Sequence, residues 1–145
     1  MKKKIIYGLL VIIWMVVIFL FSNQDAVDST DLTVGLLGDV LSFLHLENLE
    51  EVINMLFMPV RKMAHYIIYL ILGILVINFI KEFNVSLKEI IITSLLICMM
   101  YAVSDEIHQT FVAGRAGKIL DVFIDTFGSI CGIYGYYFIR KSKLN

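Results

Sequence analysis

The polar residues that could do chemistry gather in a few short stretches of an otherwise apolar chain. Arg61, Lys62 and His65 open one apolar run. Ser104, Asp105, Glu106, His108 and Gln109 close another. Arg115 and Lys118 precede a third, which contains Asp121 and Asp125. Arginine presents a planar fork that binds carboxylates or phosphates bidentately. The chemistry expected of this set is binding of an anionic or lipid-linked ligand. Arg61 and Arg115 would grip it, and His65, Asp105, Glu106 and His108 would orient it. Asp105, Glu106 and His108 are also ligand types that suit Mn or Zn. Adjacent positions diverge around a helix, however, so no metal site and no cofactor is expected. His65 or His108 beside a carboxylate could serve as an acid or base, but no serine or cysteine nucleophile motif accompanies them. Catalytic residues stay unassigned.

The elements that must position these residues are apolar runs: Ile5–Phe21, Met63–Ile80, Ile90–Val103 and Ile119–Ile139. A bilayer core needs about 20 apolar residues per helix. Four membrane spans are predicted, at about 5–22, 60–80, 86–104 and 118–139, within a single domain over 1–145. The fold class is all-α, an integral membrane four-helix bundle. Lys2, Lys3 and Lys4 before the first run resemble a signal peptide, but the run is long and no small-x-small cleavage site follows. A retained anchor is expected.

Within the spans the polar residues form stripes. Asp121, Asp125, Gly128, Gly132 and Gly135 step by four, three, four and three and share one helix face. Arg61, His65, Tyr69 and Gly73 repeat every four residues. Asp105, His108 and Gln109 share a face, with Glu106 turned about 100° away. Asp125 lies about 9 Å inward from Ile119 at about 1.5 Å rise per residue. A lone carboxylate there costs about 2.5–3.5 kcal/mol, so it should face the bundle and meet a partner. If the stripes meet, Arg61 and Arg115 sit among Asp105, Glu106, Asp121 and Asp125.

Lysine and arginine favour cytoplasmic loops. Lys2, Lys3, Lys4, Lys81, Lys88, Arg140, Lys141 and Lys143 fall on one side, against Arg61, Lys62, Arg115 and Lys118 on the other. Both termini are therefore expected in the cytoplasm, with the polar cluster outside. The first outer loop holds Asp25, Asp28, Asp31, Asp39, Glu47, Glu50 and Glu51 and no basic residue. Val34, Leu37, Val40, Leu41 and Leu44 repeat at helical spacing, as do Leu46, Leu49, Val52, Ile53, Leu56 and Phe57. One or two short amphipathic helices on the outer membrane surface are expected, with Pro59 in the first turn of the second span.

Composition agrees. Of 145 residues, 59% are apolar and 17% charged, with a mean hydropathy of +0.86 and a net charge of -1. Disorder, nucleic-acid binding and an ordinary cytosolic enzyme are excluded. Cys98 and Cys131 both lie in apolar runs and are expected to be small core residues.

The ordered set resembles the VanZ-like family. It comprises Ser22-Asn23-Gln24, Arg61-Lys62-Met63-Ala64-His65-Tyr66, Asp105-Glu106-Ile107-His108-Gln109, Phe111-x-x-Gly114-Arg115, Asp121 and Asp125-Thr126-Phe127-Gly128. The resemblance covers roughly Lys4 to Ile139. Ala113 stands where that family often has proline, and Asp125 where it often has asparagine. The resemblance implies a bacterial cell-membrane protein whose cluster faces outward. It also implies a role in lowering susceptibility to glycopeptide antibiotics such as teicoplanin. The partners expected are membrane lipids and a lipid-linked envelope precursor or glycopeptide. Two alternatives stay open: an enzyme acting on a lipid-linked envelope substrate, and a small transporter or assembly partner. The oligomeric state is not legible.

Overall fold

The computed structural model describes residues 2–45 and 48–142, with side chains to residue 139. Its helices are α1 (Lys2–Ser22), α2 (Ala26–Phe43), α3 (Leu49–Ile80), α4 (Leu87–Gln109) and α5 (Ile119–Ser142). All but α2 are long and apolar enough to cross a membrane. The chain is thus an all-α membrane bundle of four helices with an amphipathic helix beside it. Leu46, Glu47 and Lys143, and the side chains of Arg140 and Lys141, lie outside the described residues.

Helix α3 is the axis of the bundle and packs on every other helix, most extensively on α5. The two predicted stripes make that contact. A Cβ on Gly128 or Gly132 would run into the carbonyls of Tyr66 or Leu70. Bare glycine lets the two backbones close, which is how helices associate where lipid removes the hydrophobic drive. Ser129 Oγ donates to the Tyr69 carbonyl at 3.2 Å across the same seam. Gly135 continues the stripe, but a Cβ there would meet nothing within 4 Å.

The core joins Tyr69, Leu72, Val76 and Ile77 of α3 to Cys98 and Ala102 of α4, Ile133 of α5, and Val11 and Ile18 of α1. Both cysteines are free, Cys98 buried and Cys131 partly so. Helix α1 is peripheral. Ile6, Leu9, Ile13, Val16 and Leu20 stay exposed, which suits a side chain solvated by lipid. Two hydrogen bonds hold the middle of α1 in place: Trp14 Nε1 donates to the Ile68 carbonyl at 2.9 Å, and Tyr101 Oη to the Met15 carbonyl at 2.6 Å.

The second span departs from expectation at its start. Pro59 does not open it; α3 runs unbroken from Leu49 through Pro59 to Ile80. The helical spacing of Leu49, Val52, Ile53 and Leu56 continues without interruption into the span, so one helix serves both. Its 32 residues extend about 48 Å, well past a bilayer core of about 30 Å. The extra turns project beyond the polar cluster.

Helix α2 turns back over that end. Asp25 caps it, accepting from the Asp28 N–H at 2.8 Å. The Ala26 N–H donates to the Ala113 carbonyl at 3.2 Å, tying the start of α2 to the α4–α5 loop. Leu37 and Leu41 are buried, while Val27, Leu36, Val40 and Phe43 remain exposed. An amphipathic surface helix was expected here; its service as a wall over the cluster was not.

Candidate ligand-binding site at the polar end of the bundle

Two cavities open at the end of the bundle where α1 and α4 finish and α5 begins. The first, about 470 Å³, lies between α1, α2 and α3. Its walls are largely apolar: Ile18, Phe21, Leu32, Leu36, Val60 and Ile68. The second, about 310 Å³, is more polar than the first and lined by Lys62, Gln109, Lys118 and Asp121 among others. Arg61, His65 and Arg115 line both. The arrangement is an apolar cleft joined to a basic vestibule through two guanidinium groups and an imidazole.

The arginines are not spent on the acids. Among the described residues the one ion pair is His65 Nδ1 to Asp125 Oδ1, at 3.4 Å. The expected Arg–carboxylate pairs do not form. Arg115 instead donates to the Phe21 carbonyl at 3.4 Å, and its Nε is buried without a hydrogen-bond partner. The physical reason is position. Arg115 sits on the loop before α5 and folds toward α1, whereas Asp125 lies ten residues further on, deep between α3 and α5. Burial, and after it the nearby Arg61 charge, push the Arg115 pKa below its usual value, while Asp105, Glu106 and Asp25 push it up. A guanidinium remains charged regardless.

Two of the acids, Asp105 and Glu106, are held by other donors. Asp105 and Glu106 are both buried despite pointing some 100° apart. Gln109 Nε2 bridges them, at 3.2 Å to Asp105 and 3.3 Å to Glu106. Asp105 faces the apolar cleft. Glu106 faces the α4–α5 loop, where its carboxylate accepts from the Lys118 N–H at 2.7 Å. Gly117 makes that approach feasible, since a Cβ there would collide with the Glu106 carbonyl. Asp125 is fully buried and neither of its oxygens is hydrogen-bonded.

The predicted set thus divides. Arg61, Lys62, His65, Asp105, Gln109, Arg115 and Asp121 line the cavities. Glu106 and Asp125 form the floor behind His65. His108 stands apart: its Nε2 lies 3.3 Å from Asn23 Oδ1, and its ring packs on Phe19 at 4.6 Å between centroids. Sequence reasoning missed Ser29, Leu32, Thr33 and Leu36 of α2, which wall the apolar cleft. Their helical spacing was visible, but nothing local says which face turns inward. It also expected no metal site. Yet one ligand atom each from His65, Glu106 and Asp125 lies within 4.8 Å of the others. No sequence spacing announces a trio drawn from three helices.

Fold and site together define a multi-span α-helical membrane protein with a charged cavity at one end of its bundle. A model of the VanZ/LLP1 family matches residues 7–140, and the chain belongs to that family. Comparison with curated proteins and with solved structures finds no significant match.

Proposed function

We propose that this VanZ-family protein binds a lipid-linked anionic ligand of the cell envelope in its two joined cavities. Through that binding it lowers susceptibility to glycopeptides such as teicoplanin. The observation that carries the reading is the sharing of Arg61 and Arg115 between an apolar cleft and a polar vestibule. An acyl or prenyl chain suits the first and a phosphate or carboxylate headgroup the second. Neither guanidinium is paired with a carboxylate among the described residues, so the positive charge of both, and the donors Arg115 does not spend on Phe21, are left for an incoming anion. The distribution of lysine and arginine favours an outward-facing site with both termini in the cytoplasm, an orientation in which the site would meet the outer leaflet.

The test is teicoplanin susceptibility of a sensitive Gram-positive host carrying empty vector, wild type, Asp105→Ala or Arg115→Glu, with membrane levels matched. Protection by wild type and its loss in both variants is expected. Native mass spectrometry of the purified protein should also show an anionic lipid that Arg115→Glu no longer retains. Full protection by Arg115→Glu would overturn the pocket reading. No protection by wild type would remove the resistance role.

A further inference from the structure

We propose that His65, Glu106 and Asp125 form a zinc site at the floor of the two cavities, with one ligand from each of α3, α4 and α5. Their ligand atoms already lie within 4.8 Å of one another. Asp125 is 0% exposed, and among the described residues neither of its oxygens has a hydrogen bond. A buried carboxylate is ordinarily hydrogen-bonded, paired with a cation or bound to a metal. Its one ion-pair partner among the described residues is His65, and that 3.4 Å contact is not a hydrogen bond.

The same separation suits two ligands of a common ion. Atoms bound to tetrahedral zinc at about 2.0–2.1 Å stand about 3.3–3.4 Å apart. Charge favours the ion too. Two carboxylates beside a neutral imidazole carry two negative charges, and a dication balances them. One imidazole with two carboxylates suits zinc, whereas magnesium and calcium prefer oxygen throughout. Glu106 is already oriented by the Lys118 N–H and Gln109 Nε2, as partners beyond the ligand shell commonly do. A carboxylate offers about four lone-pair sites, so capacity for the ion remains. Because His65 lines both cavities, a water or an oxygen of a bound anion can reach the fourth position.

The inference goes beyond the proposed function and does not depend on it. The full chain in lipid nanodiscs is stripped with chelator, then titrated with Zn²⁺ and with Co²⁺. One ion per chain is expected, with the intense visible absorption of four-coordinate Co²⁺. Affinity should fall about tenfold or more in His65→Ala, Glu106→Gln and Asp125→Asn. Asp39→Asn, which removes an exposed acid of α2, should bind as wild type does. Circular dichroism and elution volume report the fold. If Asp125→Asn fails to assemble, Glu106→Gln carries the test, since its amide oxygen still accepts from Lys118. Absence of saturable zinc uptake overturns the proposal. So does uptake equal to wild type in Glu106→Gln and Asp125→Asn. Zinc uptake without lipid retention would sink the proposed function alone, and the converse would sink the zinc site alone.

Discussion

His65 on α3 and Asp125 on α5 face each other at 3.4 Å, the imidazole partly open to the cavities and the carboxylate sealed behind it. This contact sits at the top of the glycine seam that holds the two helices together. Site and packing are therefore one construction: whatever moves α5 off α3 also moves Asp125 off His65.

The seam itself is testable. Gly128→Leu places a side chain where even a Cβ meets the Tyr66 carbonyl. Overpacking of this kind costs about 1–3 kcal/mol. A lowered thermal midpoint in detergent is expected, together with loss of any phenotype. Gly135→Ala, on the same stripe but with nothing within 4 Å, should change stability by less than about 0.5 kcal/mol. Equal effects of the two substitutions would show that α3 and α5 are not in intimate contact at Gly128.

The stripes were legible because helical period fixes which residues share a face. Arg61, His65, Tyr69 and Gly73, and likewise Asp121, Asp125, Gly128 and Gly132, could be aligned without coordinates. What meets across two helices is set by rotation and depth, which no single-helix pattern encodes. Hence arginine–carboxylate pairs were expected where the structure gives His65–Asp125. The unbroken helix through Pro59 was hidden for a related reason. Proline marks where a helix can start, but here it lies inside one, with helical turns on both sides.

His108 gives a sharper comparison. It shares a face with Asp105 and Gln109 by spacing, yet it lies on the α1 flank against Asn23 and Phe19. His108→Ala should leave lipid retention and drug response within about twofold of wild type, losing no more than a weak hydrogen bond. His65→Ala should abolish both. If the two variants behave alike, the separation of His108 from the site is wrong.

Besides the Arg115 contact at its end, helix α1 is held by two side-chain to backbone hydrogen bonds at its middle, involving Trp14 and Tyr101. Interhelical bonds of this kind average about 0.6 kcal/mol in membranes and reach about 1.7. Trp14→Phe and Tyr101→Phe should each destabilise within that range, and the pair together by about the sum. Trp14 is the chain's single tryptophan, so its emission in the Tyr101→Phe variant reports whether α1 swings toward lipid. An unshifted spectrum with unchanged stability would mean that apolar contact alone seats α1.

The apolar cleft makes the most specific demand on the ligand. Ala64 lies on its wall beside His65, on the exposed side of α3. Ala64→Trp would obstruct the 470 Å³ cleft without entering the core or removing the two arginines' charge. Folding should survive, because a side chain placed in an open cleft displaces lipid and not protein. A ligand anchored by its hydrocarbon chain should then be lost, with retention of co-purified lipid falling at least about tenfold, a penalty of about 1.4 kcal/mol. A short-chain analogue with the same anionic headgroup should still bind, since the basic vestibule is intact. If Ala64→Trp spares the long-chain ligand, the chain lies outside the cleft and α2 is only a cover. If it abolishes both ligands while the protein stays folded, cleft and vestibule do not bind separately. The division of labour between the apolar wall and Arg61 with Arg115 would then fail.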